Sequence, residues 1–343
     1  MSTAAPRLQR IARLDLGDYP ADAVWSPDGQ VLVVAGGQGA LLWIAPTSAA
    51  ATTKRFGEHA GGVLTVVWQS GGRQFASSGQ DGEVRLWDTK RIDSCLESRL
   101  IHAGAEWSER LAFASHGRWL AVATGRALQI FDSDGGLREQ LPPQPSVIAA
   151  LAWRPKSSEL ATVGNGGACI HRLEPQLQSR EYPWQGACLT ASWSPDGRLL
   201  VAGMQDGSVH YWNISAGTQS QMRGYGTKVA LTCWSANNRS LATAADQHII
   251  VWDFSGRGPE GSEPLQLAAH TARLTQLAFQ PQGSLLAAGA RDHRLTLWRL
   301  TQPQQPIDAD LLSDEVVLLR WSHDGTRLAV ADRSGALSLY VLS

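Results

Sequence analysis

The chain has 343 residues, enough to bury most of its apolar surface without covalent staples. Its 30 Lys and Arg against 31 Asp and Glu give a formal net charge of −1, which argues against bulk electrostatic binding of nucleic acid or of an anionic membrane. Cys95, Cys169, Cys188 and Cys233 lie far apart with no CxxC pair, so neither a disulfide framework nor a structural zinc site is expected.

The first segment, MSTAAPRLQRIARLDLGDY, carries no apolar core of signal-peptide length, and the expected location is cytoplasmic. Within it, residues 8–16 read as a strand with no partner of their own. The most apolar stretch, residues 31–45, is interrupted by Gly36, Gly37, Gln38 and Gly39. It reads as two strands around a turn, not as a membrane span.

From there a repeat governs the chain. A first aromatic column holds Trp25, Trp68, Phe113, Trp153, Trp193, Trp234, Phe279 and Trp321. A second holds Trp43, Trp87, Phe131, His171, Trp212, Trp252, Trp298 and Tyr340. The 296 residues from Trp25 to Trp321 make seven steps of about 42, the period of propeller blades with four strands each. In each unit a short apolar strand ends near the first aromatic, as in VLTVVW (63–68). A turn such as SPDG (26–29, 194–197) or SHDG (322–325) follows, then a second apolar strand, as in RLLVAG (198–203). After a DG-type turn (81–82, 206–207), a third strand ends in the second aromatic, and a more polar fourth segment closes the unit. Inner strands apolar on both faces with a polar outer strand suit sheets packed face to face. The units run approximately 17–58, 59–101, 102–143, 144–182, 183–224, 225–266, 267–310 and 311–343, in one domain spanning 1–343.

The segments DGEVRLWD (81–88), DGSVHYWN (206–213), DQHIIVWD (246–253) and DHRLTLWR (292–299) place Asp six residues before Trp, and so resemble the second turn and third strand of WD40 repeats. His59 and His270, each nine residues before a first-column aromatic, resemble that family's Gly-His position. The resemblance implies an all-β, eight-bladed WD40-type propeller of four antiparallel strands per blade. A seven-bladed ring, with the third or fourth unit unformed, is the alternative. It also implies ring closure by the N-terminal strand, because the chain ends after the third strand of unit 8, and residues 8–16 would complete that blade. Units 1, 3, 4 and 8 lack the turn Asp, with Asn165 standing there in unit 4, and units 4 and 6 are one residue short before the turn. These units are expected to hold by packing more than by polar networks.

His59, Ser77 and Asp81 could pass for a hydrolase triad. The resemblance assigns them instead, with Trp87, to a buried structural tetrad that pins loops on the top face. Unit 7 repeats it with His270, Asp292 and Trp298, but Ala288 stands in the place of Ser. No GxSxG elbow, GxxxxGK[ST] loop or paired histidine spacing occurs, so no catalytic residue, cofactor or metal is expected. The expected function is a non-catalytic scaffold, monomeric by itself, that binds a protein partner. The alternatives are a small-molecule or metal sensor and a quinoprotein-like enzyme using the central funnel.

The resemblance places the binding positions in columns. Six residues before the first aromatic stand Tyr19, Gly62, Trp107, Val147, Ala187, Lys228, Arg273 and Glu315. Seven before the second stand Gly36, Gln80, Thr124, Gly164, Gln205, Ala245, Arg291 and Arg333. A third position adds Glu109, and Trp184 lies in the long connection into unit 5. The top-face residues expected to bind are therefore Tyr19, Trp107, Glu109, Trp184, Lys228, Arg273, Arg291, Glu315 and Arg333. Lys228, Arg273, Arg291 and Arg333 come from neighbouring units and suit an acidic partner segment, with Trp107 as an apolar anchor.

Overall fold

The structure, a computed structural model, describes residues 6–47, 50–89, 98–256 and 258–343. Cys95 and the first two residues of the fourth segment of unit 2, Leu96 and Glu97, lie outside them. Eight antiparallel sheets follow one another along the chain, and the described residues contain no α-helix. The first blade shows the pattern. Pro20–Trp25, Leu32–Gly36, Ala40–Pro46 and Ala51–Glu58 pair in order from the inside outward.

Unit 4 contains one unbroken 14-residue strand segment, Glu159–Arg172, and three strands by element count. It is still folded back on itself. Thr162 Oγ1 donates to Cys169 O at 3.4 Å, whereas seven extended residues would separate them by roughly 23 Å. Gly166 (φ +102°) and Gly167 (φ +122°) make the bend, and the two arms pair with Ala150–Trp153 and Gln178–Ala187. The ring thus has eight blades, not seven.

Each blade is apolar on both faces, and the core is divided accordingly. Eight buried clusters each join two consecutive blades, and the cluster of Ala23, Trp25, Leu32 and Ile44 with Leu318, Ala329 and Leu339 joins the first blade to the last. Eight interfaces for eight blades is the count of a closed ring. The first aromatic column adds a polar staple to this packing. The indole Nε1 of Trp25 donates to Arg320 O (2.9 Å), Trp153 to Ala112 O (2.9 Å), Trp193 to Ala152 O (3.0 Å) and Trp321 to Ala278 O (3.2 Å). Each bond reaches the first strand of the preceding blade. Trp68 and Trp234 make no such bond; they pack against Trp43 and Phe254 instead.

Closure by the N-terminal strand holds as expected. Leu8–Asp15 pairs antiparallel with Ala336–Leu342, from Leu8 opposite Leu342 to Asp15 opposite Ala336, and becomes the outer strand of the last blade. Along the channel wall a second tie crosses the same seam. Arg320 donates to Gln276 Oε1 of unit 7 (3.3 Å), to Ala23 O (3.1 Å) and to Asp22 Oδ1 (2.9 Å) of unit 1. Asp22 Oδ2 in turn accepts from Thr65 of unit 2 (2.8 Å).

The polar turns depart from the expectation that units lacking the turn Asp rest on packing. In unit 1, Asp18 reaches across from the preceding loop and accepts from Gln38 N (2.9 Å). In unit 8, buried Asp332 accepts from Ser334 N (3.1 Å), Ala336 N (3.2 Å) and Ser313 N (3.2 Å). In unit 4, Thr162, His171 and Ser179 form a hydrogen-bonded chain. In units 1 and 8 the carboxylate arrives from outside the expected column, whereas Thr162 of unit 4 stands at the offset of Ser77, nine residues after the first aromatic.

Candidate functional site

The face carrying the second turns and the connections between blades is held from below by buried polar groups. In unit 2, His59 Nδ1 lies 3.1 Å from both oxygens of Asp81, and Nε2 lies 2.7 Å from Ser77 Oγ. Trp87 Nε1 donates to the same hydroxyl at 2.8 Å. A carboxylate only accepts, so Nδ1 carries the proton and Nε2 accepts from Ser77. Ser77 is fully buried and His59 nearly so, which leaves no room for a substrate carbonyl. The donor atoms of His59, Asp81 and Glu83 lie within 4.8 Å of one another. They are all engaged: Asp81 also accepts from Ala60 N and Glu83 N, and Glu83 pairs with Arg85. These bonds join the loop at 59–60 to the turn at 81–83 and to the buried Ser77 and Trp87.

Unit 7 repeats the arrangement with a hydroxyl that sequence columns do not reveal. His270 Nε2 lies 2.9 Å from Thr296 Oγ1, which also accepts from Trp298 Nε1 at 2.9 Å. Thr296 sits directly opposite Ala288 across the strand pair, so the hydroxyl is supplied from the neighbouring strand. Burial holds the His270 imidazole below its usual pKa, against the opposing pull of Asp292.

The position nine residues before the first aromatic, His in units 2 and 7, is Tyr225 in unit 6 and Trp184 in unit 5. Tyr225 Oη accepts from Trp252 Nε1 (2.6 Å) and bonds Thr243 Oγ1 (2.6 Å). Trp184 stacks on the buried His210 with ring centroids 3.8 Å apart and planes 21° from parallel. This corrects the expectation for Trp184. It is half-buried in the place of the tetrad histidine and is not an exposed hot spot.

Above these anchors the two rim columns meet. Backbone bonds join Arg291 N to Arg273 O (3.0 Å), Arg333 N to Glu315 O (2.9 Å), Gln80 N to Gly62 O (2.9 Å) and Gln205 N to Ala187 O (3.0 Å). In unit 1 the partner of Tyr19 O is Gly37 N (2.7 Å), one residue beyond the expected Gly36. The rim is divided by chemistry. Tyr19, Trp107 and Val147, from units 1, 3 and 4, are 47%, 50% and 60% exposed and are among the most exposed large apolar residues described. Lys228, Arg273, Arg291 and Arg333 follow on units 6 to 8.

Within the charged half, Glu315 is clamped by Arg291 (3.3 Å) and Arg333 (2.5 Å). Its carboxylate pushes the Arg333 guanidinium pKa up. Among the described residues no carboxylate pairs with Lys228 or Arg273. Glu109 is exposed and lies 3.9 Å from its neighbour Arg110, whose Nε donates to Ala149 O of the next blade.

A family model described as "WD domain, G-beta repeat" matches residues 51–88, 180–213, 219–253 and 261–299. Four units carry WD40 repeats, and the fold is that of a WD40-type β-propeller. The four matched segments contain the four Asp-to-Trp spacings of units 2, 5, 6 and 7, and the other four units of this WD40 propeller are recognised by their fold.

The chain is 28% identical over 313 residues to the B-type cell cycle switch protein ccs52A of Medicago truncatula, covering 86% of this chain and 61% of that protein. It is 27% identical over 312 residues to FIZZY-RELATED 2 of Arabidopsis thaliana (86% and 60%). It is 24% identical over 319 residues to Cell division cycle 20.4, cofactor of APC complex, from the same plant (86% and 67%). The WD40 propeller thus spans about three fifths of the length of the first two relatives. Among solved structures it superposes on the C-terminal WD40 domain of Sif2 with a TM-score of 0.80 at 13% identity, covering 98% of each chain. The computationally designed Ika8 protein gives 0.80 at 16% identity, covering 97% of this chain and 99% of that one. At these identities the superpositions establish the eight-bladed fold.

Proposed function

We propose that this WD40 propeller is a non-catalytic, cytoplasmic scaffold that captures one protein partner through its top face. The observation that carries the reading is the divided rim, with exposed Tyr19, Trp107 and Val147 on one side and the unpaired cations Lys228 and Arg273 on the other. Aromatic and arginine side chains at the centre of a rigid surface are the composition of interface hot spots. An acidic partner segment suits the cations, because local charge steers association even on a neutral molecule. The names of the relatives, two of them cell cycle switch or Fizzy-related proteins and one a cofactor of a complex, support a regulatory adaptor role. The free thiols of Cys169, Cys188 and Cys233 fit a reducing compartment. The reading is of a monomer, and a near-zero net charge argues against binding to nucleic acid or to an anionic membrane.

The test is affinity capture from the source cells, quantified against the wild-type profile. Lys228→Glu with Arg273→Glu should deplete the captured partner and flatten its salt dependence, and Trp107→Ala should weaken capture by about 2 kcal/mol or more. The thermal melt should stay unchanged, since these side chains are on the surface. Arg198→Glu and His323→Ala, in turns at the opposite face, should leave capture intact. Loss with the opposite-face pair and retention with the top-face variants would refute the assignment.

A further inference from the structure

Glu315 occupies an unusual position for a surface carboxylate. Its side chain is 15% exposed, while the two arginines that hold it are 56% and 62% exposed. The carboxylate therefore lies low between two cations that themselves project into solvent. Its backbone already fixes the loop independently, through Arg333 N to Glu315 O and Glu315 N to Asp314 Oδ1 (2.7 Å). Ion pairs between exposed side chains add little to stability, so the clamp is weakly justified as a fold-stabilising device. It does hold the planar forks of Arg291 and Arg333 against a carboxylate at the place where the rim would meet an acidic partner.

We infer that Glu315 is an internal competitor, a carboxylate of the chain's own that fills the Arg291–Arg333 clamp until an acidic side chain of the partner displaces it. This rests on the reading of the top face as the site for an acidic segment, and adds how that site is regulated. In the resting state Lys228 and Arg273 are the rim cations that no carboxylate already holds. A partner with a single acidic residue engages those two cations and leaves the clamp closed. A partner with a run of acidic residues opens the clamp and gains two further cations. The device selects for acidic runs over isolated acids, because displacement of Glu315 must be offset by bonds to both arginines. Asp314, the residue before Glu315, lies 3.8 Å from His293.

The experiment uses the full chain and a rhodamine-labelled hexaglutamate peptide, with binding read by fluorescence anisotropy at several salt concentrations. Glu315→Gln keeps the side-chain shape and removes the competing charge. It should tighten binding about fivefold and steepen its salt dependence, with an unchanged melt. Glu315→Ala should act in the same direction, which guards against an effect peculiar to glutamine. Adding Arg291→Gln and Arg333→Gln to Glu315→Gln should return the affinity to the wild-type level. Binding to Glu315→Gln that is equal to or weaker than wild type, with Lys228→Glu/Arg273→Glu still abolishing it, would show that Glu315 orients the arginines and would overturn the competitor role alone. Equal binding by wild type, Glu315→Gln and Lys228→Glu/Arg273→Glu would overturn the acidic-segment reading of the face together with it.

Discussion

Thr296 does in unit 7 what Ser77 does in unit 2, and the substitution shows how tolerant a buried polar site is of where its hydroxyl originates. Thr296→Val keeps the shape and removes the oxygen, which strands both His270 Nε2 and Trp298 Nε1. Stability should fall by about 2 kcal/mol or more, measured by urea unfolding. Because Ala288 faces Thr296 across the strands, Ala288→Ser in the Thr296→Val background should recover part of the loss, whereas Ala288→Ser alone should not stabilise. No recovery would mean that the hydroxyl cannot serve from both strands. Histidines also set a pH window. Burial pushes His171 and His210 down to about 4. An unfolded histidine titrates near 6.5, so between about pH 6.5 and 4 the unfolded chain binds more protons than the folded one. Stability should therefore decrease as pH falls through that range, and His210→Phe should blunt the decrease. The carboxylate of Asp28, held low first by its bond from Ser26, acts in a separate window. Its contribution is present above the usual carboxylate pKa and is lost only as pH falls below it. Residue roles were legible where spacing and strand agree with the repeat, as at His59, Ser77, Asp81 and Trp87. They were not legible where a neighbouring strand supplies the atom, as at Thr296, or where it comes from another position in a loop or turn, as at Asp18 and Asp332, because a linear offset cannot see which atoms meet. Trp184 was legible in principle. It stands at the histidine offset, but its size suggests a surface anchor until its stacking on His210 is seen.

Strands rather than single residues decide whether the ring holds. The outer strand Leu8–Asp15 buries part of Leu8, Ile11, Ala12 and Leu14 against the last blade and the first, and its backbone satisfies the free edge of Ala336–Leu342. Deleting residues 1–17 removes that burial and reopens the edge. The melting temperature should drop by about 10 °C or more, and an unchanged melt would mean that the strand only decorates a ring closed by other means. The tie Gln276–Arg320–Asp22–Thr65 and the staple from Trp25 to Arg320 O would still cross the seam, so the truncated ring should loosen rather than unravel. Strand order was readable because each unit repeats apolar, turn, apolar, turn, aromatic. The hairpin of unit 4 was harder to read. Its glycines at 164, 166 and 167 replace the usual Asp-Gly turn, and the bonds of Thr162 to Cys169 O and to His171 Nε2 show the chain doubling back.

At the scale of the molecule, the propeller is a rigid ring whose eight interfaces share one design and whose top rim does not. The apolar positions lie on units 1, 3 and 4 and the cations on units 6 to 8. Lys228→Glu with Arg273→Glu, Trp107→Ala and Glu315→Gln therefore probe three parts of one surface. The first two should weaken capture and the third should tighten it, all without moving the melt. The sequence by itself determined the period of about 42 and the aromatic columns, and through the resemblance to WD40 repeats it led to the expectation of eight blades and a closing strand, with the structure deciding eight over seven. These follow from local periodicity and from the need to cover every apolar face and every open edge. Only the tertiary structure decided which rim charges are free. Arg273 and Arg291 look alike in sequence, yet one is unpaired and the other is held by a glutamate from the next blade. That difference depends on side chains meeting across a blade boundary, at distances that spacing along the chain does not encode.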